Sequence, residues 1–313
     1  MARAFVFPGQ GSQAVGMGQA LAEAFPAARE LFEEVDEALK QRLFRLMREG
    51  PDAELTLTEN AQPALMAVSL AAVRVLEREM GRRLTDTVAY VAGHSLGEYS
   101  ALAAAGAFQI AEAARLLKRR GRAMQRAVPL GQGAMAALIG ADLEQAEAIT
   151  RDAAQGEVCA PANDNAPGQV VVSGHKTAIE RAITLAAERG IKRSMLLPVS
   201  APFHCALMQP AAEEMAEALA EVRILPPAVP LIANVTAAPV KDPETIRRLL
   251  VEQVTGLVRW RESVLAMKAA GVDSVVELGA GKVLSGLVKR IDRDLAASSA
   301  GAPEELEALA KSL

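Results

Sequence analysis

One short motif in the sequence can present a serine as a nucleophile: Gly93-His94-Ser95-Leu96-Gly97. The apolar run 88–92 before it predicts a buried strand, and the pattern of 96–105 after it predicts a helix. Strand, turn and helix together form the context of a nucleophile elbow, in which position 93 has no room for a side chain and a Cβ at position 97 would crowd the neighbouring strand. The backbone N–H of Leu96, at the start of the helix, can stabilise an oxyanion. The motif therefore predicts acyl-transfer chemistry at Ser95.

A nucleophilic serine needs a base, and the sequence contains three histidines. His94 adjoins Ser95, so its side chain is expected to point away from the hydroxyl and to pack inside the protein. His175 opens a predicted helix, where a surface or capping role is expected. His204 lies in the loop 199–205, where the chain is expected to re-enter the large domain after a small inserted one, and loops at domain junctions line clefts. By elimination, His204 is predicted as the general base.

Two glycine-rich segments could suggest nucleotide binding. The segment 9–14 fits the dinucleotide fingerprint, but helical sequence follows where that fingerprint needs a second strand. The segment 279–282 resembles part of a P-loop, but Val276 and Val283 stand where the motif has Gly and Ser or Thr. Nucleotide binding is therefore not supported. In the basic cluster 118–122, most side chains are expected in solvent, and one could bind a carboxylate in a cleft; the pattern does not select which.

The elements that must position these residues alternate along the chain. Strands are predicted at 4–7, 88–92, 231–233 and 275–278, with helices between them, which indicates an α/β fold with a mostly parallel sheet covered on both faces. Between 130 and 197 the order changes to β-α-β-β-α-β, which is typical of a ferredoxin-like arrangement. We therefore predict a large discontinuous domain, 1–129 and 198–313, with a small inserted domain at 130–197. The Ala/Ser stretch 296–302 is interpreted as a linker before a final helix.

Composition excludes several other classes of protein. The 313 residues are 51% hydrophobic and carry a net charge of −4, which argues against a nucleic-acid or anionic-membrane binder. Cys159 and Cys205 cannot form a disulfide framework, and no metal-ligand spacing surrounds either of them, so no metal is predicted. We find neither a signal sequence nor an apolar stretch of about 18 residues. A cytoplasmic protein that binds no membrane is the expectation.

Taken together, the motifs resemble those of the malonyl-CoA:acyl carrier protein transacylases. The similarity extends along nearly the whole chain, from Phe5 to Ile291, and is more specific than any single motif because the matches occur in the same order. The matching positions are Phe7 to Gln13, Gly93 to Glu98, Arg120-Gly121 with Met124-Gln125, Asn163 and Asn165 with Pro167 to Gln169, Phe203-His204, Gln253, and Gly279 to Leu284.

The resemblance implies a fold and a set of roles. The large domain would be α/β-hydrolase-like, with the ferredoxin-like domain inserted into it. Ser95 would be acylated and His204 would be its base, while the backbone N–H groups of Gln10 and Leu96 would form the oxyanion hole. The main-chain carbonyl of Gln253 would orient His204, so that no acidic third member of a triad is expected.

The resemblance also implies the substrates. Arg120, selected from its neighbours Arg119 and Arg122 by its place before Gly121, would bind the free carboxylate of malonate. The donor would be malonyl-CoA and the acceptor the phosphopantetheine thiol of acyl carrier protein, in a ping-pong reaction of fatty acid biosynthesis that needs no cofactor. From its position beside His204, Phe203 is expected to crowd an α-methyl group and so to favour malonyl over methylmalonyl.

Acyl carrier proteins are strongly acidic, so a locally basic docking surface is expected, with Arg119, Arg122, Lys289 and Arg290 as candidates. Three alternatives remain open at this point. The same chemistry could act on another acyl-CoA or on a polyketide carrier protein. A serine hydrolase or thioesterase could pass the acyl group to water, although it would not need Arg120. An inactive relative could bind carrier protein without catalysis.

Overall fold

The computed structural model describes residues 2–313, in which strands and helices alternate over most of the chain. In chain order the elements are β1 (Ala2–Phe7), α1 (Gln19–Ala24), α2 (Pro26–Leu39), α3 (Leu43–Glu49), α4 (Asp52–Leu55), α5 (Thr58–Arg78), α6 (Leu84–Thr87), β2 (Tyr90–Gly93), α7 (Gly97–Ala104), α8 (Ile110–Ala127), β3 (Gly133–Ile139), α9 (Leu143–Ala154), β4 (Cys159–Ala166), β5 (Gln169–His175), α10 (Lys176–Glu188), β6 (Arg193–Leu196), a 3-10 turn (Ala206–Met208), α11 (Gln209–Ala220), β7 (Leu231–Ile232), β8 (Pro239–Val240), α12 (Pro243–Thr255), α13 (Trp260–Ala269), β9 (Val272–Leu278), α14 (Val283–Ile291), β10 (Ala296–Ala300) and α15 (Pro303–Ser312).

The larger sheet has six strands in the order β10-β9-β1-β2-β7-β8, and every neighbouring pair is parallel except β7 with β8. Successive residues of the central strand β1 face opposite sides. Phe5 and Phe7 belong to one buried apolar cluster, and Ala4 and Val6 to another. A sheet buried on both faces explains why β1 is a continuous apolar run. The predicted α/β class with a mostly parallel sheet is confirmed.

One sequence-based expectation is wrong. The stretch 296–302 is not a linker, because Ala296–Ala300 forms the edge strand β10, which runs parallel to β9 from Ala296 opposite Ser274 to Ala300 opposite Leu278. Alanine and serine have little intrinsic preference for strands, so the sequence carried no signal here. The backbone ladder to β9 forms this strand, and small side chains are tolerated at an edge.

A second sheet is formed by the residues between 133 and 196, in the order β4-β5-β3-β6 with all pairs antiparallel. The elements follow the sequence β-α-β-β-α-β, and α9 and α10 pack on this sheet over their own apolar cluster, which includes Leu138, Ile149 and Val172. A main-chain connection links the two parts of the fold, because Val258 accepts from Asp164 N–H and donates to the Ala162 carbonyl, each at 2.9 Å.

The longest helix, α5, crosses the core next to α8. It has 21 residues, and nearly all of its first five turns are buried, including the polar side chains of Asn60 and Gln62, which both have hydrogen-bond partners. Its first turn, beginning at Thr58, lies close to two of the sequence motifs, those that contain Gln10 and Gly121. Within residues 2–313, none of the helices combines the length and the apolar character that crossing a membrane would require.

Candidate active site

The turn between β2 and α7 holds Ser95 in a strained conformation, with a φ of 53°. A Cβ added at Gly93 would lie 1.9 Å from the carbonyl group of Gly97, and a Cβ at Gly97 would lie 2.2 Å from the Phe7 carbonyl oxygen. Both distances are far below van der Waals contact, so only glycine fits at either position. The predicted steric reason for the two glycines is therefore present in the structure, and the turn exposes the serine hydroxyl at the head of a helix.

Asn234, just after β7, stabilises this turn with two side-chain hydrogen bonds. Its side-chain Oδ1 accepts the Ser95 N–H at 2.8 Å, and its Nδ2 donates to the Gly93 carbonyl at 2.7 Å. The residue is fully buried, so both bonds are protected from water. Sequence reasoning missed Asn234. The available signal was its place at the carboxyl end of a strand, the edge at which parallel sheets form their sites.

His204 lies against the nucleophile. Its Nε2 is 2.8 Å from Ser95 Oγ, and its Nδ1 is 2.8 Å from the main-chain oxygen of Gln253. A carbonyl oxygen can only accept, so Nδ1 carries the proton and Nε2 is left to accept the proton of Ser95. Burial, reinforced by the positive charge of Arg120, lowers the pKa of His204 to about 3. The imidazole is therefore neutral at ordinary pH and ready to act as a base.

The other two histidines lie away from the hydroxyl of Ser95. His94 is tilted against Trp260, with 5.8 Å between ring centroids, and its Nε2 is 2.8 Å from Asn165 Oδ1. His175 occupies the N-cap position of α10, and its Nδ1 accepts the Val158 N–H at 2.9 Å. Both have structural partners, which leaves His204 as the histidine that contacts the nucleophile.

The backbone N–H groups of Gln10 and Leu96 have no hydrogen-bond acceptor within the described part of the chain, residues 2–313. Both residues line the same cavity as Ser95, and Leu96 stands at the N-cap of α7. The Gln10 side chain donates to Thr58 Oγ1 at 3.3 Å, which ties its loop to the start of α5. Two free N–H groups beside a nucleophile can stabilise the oxyanion of a tetrahedral intermediate.

Arg120 is only 1% exposed, and its guanidinium points at the nucleophile. Its Nη2 donates to Ser95 Oγ at 3.1 Å and to Gln253 Oε1 at 2.9 Å, and its Nη1 donates to Gln62 Oε1 at 2.8 Å. Gly121 lets α8 lie close to the start of α5, because a Cβ at position 121 would lie 2.6 Å from the Thr58 carbonyl oxygen. A buried guanidinium next to the Ser95 hydroxyl could bind a carboxylate carried by an acyl group on that hydroxyl.

The neighbours of Arg120 in the basic cluster have different surroundings. Arg119 pairs with Glu214 at 3.3 Å, and Arg122 pairs with Glu59 at 2.7 Å. Lys118 departs from the expectation of a solvated side chain, because it is 8% exposed and donates to Asn60 Oδ1 at 2.7 Å. The structure therefore singles out one member of the cluster, at the position that the resemblance indicated.

These side chains meet in a cavity of about 550 Å³ between the two sheets. Its wall combines polar groups from the loops after β1 and β2 and from α8 with apolar residues in and near the small sheet. The lining includes Gln10, Ser95, Arg120, Met135, Leu197, Phe203 and His204. Among residues 2–313, no group of three or more His, Cys, Asp or Glu side chains is placed to hold a metal ion. The fold and this arrangement define a class of protein: an α/β enzyme equipped for acyl transfer through a serine.

Comparison with known proteins agrees with this class. Residues 4–301 match the acyl transferase domain family. The chain is 47% identical over 305 residues to the malonyl CoA-acyl carrier protein transacylase of Escherichia coli (strain K12), covering 97% of each chain. The crystal structure of acyl-carrier-protein-S-malonyltransferase from Bartonella henselae superposes with a TM-score of 0.98 at 55% identity, covering 100% of this chain and 99% of that one.

A further solved structure contains a malonyl-transacylase in complex with its type II PKS acyl-carrier protein. It superposes with a TM-score of 0.96 at 42% identity and covers 100% of both chains. Similarity of this degree along the full length shows more than a shared fold. The chain belongs to the malonyl CoA-acyl carrier protein transacylase family of acyl transferases.

Proposed function

We propose that the chain transfers the malonyl group from malonyl-CoA to the phosphopantetheine thiol of acyl carrier protein, through a malonyl ester on Ser95. The observation that carries the proposal is that one hydroxyl has both a base and a cation within hydrogen-bonding distance. His204 Nε2 lies 2.8 Å and Arg120 Nη2 lies 3.1 Å from Ser95 Oγ. The names of the relatives support the same donor and acceptor.

In the first half-reaction, Ser95 Oγ attacks the thioester carbonyl carbon while His204 Nε2 takes the hydroxyl proton. The carbonyl oxygen becomes an oxyanion that faces the N–H groups of Gln10 and Leu96. The C–S bond then breaks, His204 returns the proton to the departing sulfur, and coenzyme A leaves as a thiol. A malonyl ester remains on Ser95.

In the second half-reaction, the phosphopantetheine thiol gives its proton to His204 and its sulfur attacks the ester carbonyl. The C–O bond to Ser95 breaks, and His204 returns the proton to Oγ. One thioester has been exchanged for another of similar energy, so the overall transfer is expected to be near thermoneutral and reversible. The neutral His204, held by the Gln253 carbonyl, serves both directions without an acidic third residue.

Arg120 sets the substrate class in this proposal. A malonyl group on Ser95 carries its carboxylate one methylene beyond the ester carbonyl, within reach of a guanidinium that already contacts Oγ. A neutral acyl group would leave that buried charge without its partner, which disfavours such substrates. Phe203 lines the same cavity, and we propose that it restricts the space for an α-methyl group.

For carrier-protein docking, the surroundings of the four candidate cations differ. Arg119 and Arg122 are already paired with Glu214 and Glu59, so their charges are partly neutralised. Arg290, at the end of α14, donates to the uncharged side chain of Gln169 at 2.6 Å and keeps its full charge available. We therefore favour Arg290, with its neighbour Lys289, as the basic part of the docking surface.

We also propose that 130–197 is a ferredoxin-like domain inserted between the two halves, 1–129 and 198–313, of an α/β-hydrolase-like domain. The order of the small sheet supports this, because its first and third strands in chain order, β3 and β5, are the central pair. A cytoplasmic location and the absence of a cofactor remain predictions.

Intact-protein mass spectrometry after mixing with malonyl-CoA tests the function. We expect a malonyl adduct that maps to Ser95, disappears in Ser95→Ala and is discharged by phosphopantetheinylated carrier protein. A chain that forms no adduct, or that releases malonate to water as fast in the absence of carrier protein as in its presence, would contradict the proposal. Competition with acetyl-CoA and methylmalonyl-CoA would identify a different preferred acyl group.

A further inference from the structure

Glu98 is a buried carboxylate behind the site that the reaction described above does not use. It lies on α7, three residues after Ser95, and is 2% exposed. Its Oε1 accepts the Asn234 N–H at 2.8 Å, and its Oε2 accepts from Gln253 Nε2. Each carboxylate oxygen thus receives an N–H donor, and each donor belongs to a residue that contacts the candidate active site.

The two partners of Glu98 together contact the backbone of Ser95, the ring of His204 and the guanidinium of Arg120. Asn234 holds the Ser95 N–H and the Gly93 carbonyl. The Gln253 side chain donates a second hydrogen bond, to the Ser95 carbonyl at 2.9 Å, and accepts one from Arg120, while its main-chain oxygen holds His204. Glu98 therefore binds both residues that position Ser95, His204 and Arg120.

The orientation of the Gln253 amide depends on what Glu98 offers. Both hydrogens of Nε2 are used, one by Glu98 and one by the Ser95 carbonyl, so Oε1 must face Arg120. An ionised carboxylate can only accept, and it keeps the amide this way round. A donor at the Glu98 position would favour the flipped amide, whose NH₂ would then face the NH₂ of Arg120.

We propose that Glu98 is a positioning residue which, as an acceptor-only carboxylate, orients the Gln253 amide and thereby directs Arg120 toward the carboxylate of the acyl group on Ser95. The inference rests on the proposed function, because it assigns selectivity for a carboxylated acyl group to this network. It predicts that damage at Glu98 is felt more by malonyl transfer than by transfer of an acyl group that lacks a carboxylate.

The variant that tests this is Glu98→Gln, which keeps the shape and replaces one acceptor by a donor. The second-order rate constant for Ser95 acylation is measured with malonyl-CoA and with acetyl-CoA by quenched mass spectrometry at a pH above 8, where Glu98 is ionised. An unmatched buried donor is expected to lower the malonyl rate about tenfold to a hundredfold. The acetyl rate should fall by a clearly smaller factor, since acetyl has no carboxylate for Arg120.

Glu277→Gln is the matched control. Glu277 is also fully buried, and its Oε2 accepts the Ser285 N–H at 2.8 Å, but its Oε1 has no partner within residues 2–313, so an amide NH₂ at that position breaks no hydrogen bond. Both variants are checked by thermal unfolding. We expect the malonyl-to-acetyl ratio to fall in Glu98→Gln and to stay at the parent value in Glu277→Gln.

A pH profile provides a readout that a purely structural role would not change. Burial raises the pKa of Glu98 to about 8. The N–H groups of Asn234 and Gln253 and the charge of Arg120 act in the opposite direction and lower this pKa. Tyr99 is a further titratable group that faces Glu98. Protonation makes Glu98 a donor, so the malonyl-to-acetyl ratio should rise with pH, with a midpoint near pH 8. Glu98→Gln should remove this rise.

The inference and the proposed function fail in different ways. If the parent chain forms no malonyl-serine, the function is wrong. If the parent transfers malonyl but Glu98→Gln folds and keeps the parent malonyl-to-acetyl ratio and its pH dependence, the function stands and the role of Glu98 is overturned. Equal losses with both thioesters would also overturn it, because they would show a general structural effect.

Discussion

Replacing Arg120 by alanine tests the assignment of the acyl carboxylate most directly. The guanidinium makes three hydrogen bonds, to Gln62, Gln253 and Ser95, and lies 5.8 Å from the Tyr99 ring centroid, so its position is well constrained before substrate binds. Burial in the protein lowers its pKa, but arginine remains charged over the whole working range. The site therefore offers a desolvated positive charge that a malonyl carboxylate can neutralise.

The size of the effect follows from this burial. Removing one partner of a buried charge pair costs about 3–5 kcal/mol. In kcat/KM for malonyl-CoA this corresponds to a loss of about 10²- to 10⁴-fold. Arg120→Lys keeps the charge but loses the planar fork that serves Gln62 and Gln253 at once, so it should also be impaired, though less than alanine.

The assay is the rate of Ser95 acylation by malonyl-CoA in the absence of carrier protein, which removes any effect of docking. Arg119→Ala is the control from the adjacent position, because Arg119 is 34% exposed and pairs with Glu214 on the surface; its rate should equal that of the parent. Acetyl-CoA provides an internal comparison, since its acylation rate should fall by a clearly smaller factor with loss of Arg120, which then removes only the contact to Ser95 Oγ. Malonyl acylation by Arg120→Ala at the parent rate would refute the reasoning.

Two further predictions concern the nucleophile turn and the base. Gly97→Ala places a methyl group 2.2 Å from the Phe7 carbonyl oxygen, which should lower the free energy of unfolding, measured in urea, by roughly 2–4 kcal/mol. Gly286→Ala is the control, because a Cβ at position 286 meets no atom within 4 Å. Equal stability of the two variants would contradict the steric argument. Because the pKa of His204 is lowered to about 3, His204 stays neutral well below its usual titration range, and Ser95 acylation by acetyl-CoA should be flat between pH 5 and 7. A fall in that rate centred near the usual histidine value would show that the imidazole is less buried than described.

Sequence reasoning succeeded where the determinants are contiguous. The nucleophile turn is marked by a motif of five residues, so the glycines at 93 and 97 identify it, although the Phe7 carbonyl that excludes a Cβ at position 97 belongs to β1. Apolar periodicity likewise predicted most strands and helices, because the buried positions of a strand or helix are apolar at the spacing of that element. Elimination among three histidines indicated His204, although the sequence could not place it near Ser95.

Residues that act through distant contacts were not predicted. Asn234 lies 139 positions from Ser95 and Glu98 lies 155 positions from Gln253, so no local pattern connects them. The roles of Arg120 and of the Gln253 carbonyl came from family resemblance and not from the physics of the sequence. The strand β10 was missed for a related reason, since its hydrogen bonds go to β9 and its own side chains have little strand preference.

The sequence by itself thus determined the mixed α/β class, the serine turn and the set of candidate side chains, because each of these is marked by residue types at short spacing in the chain. Only the tertiary structure decided which of those side chains share one cavity, which nitrogen of His204 is free and what holds Arg120 toward Ser95. These depend on which strands are adjacent in the sheet and on bonds between residues far apart in the chain, and such contacts exist only after the chain has folded.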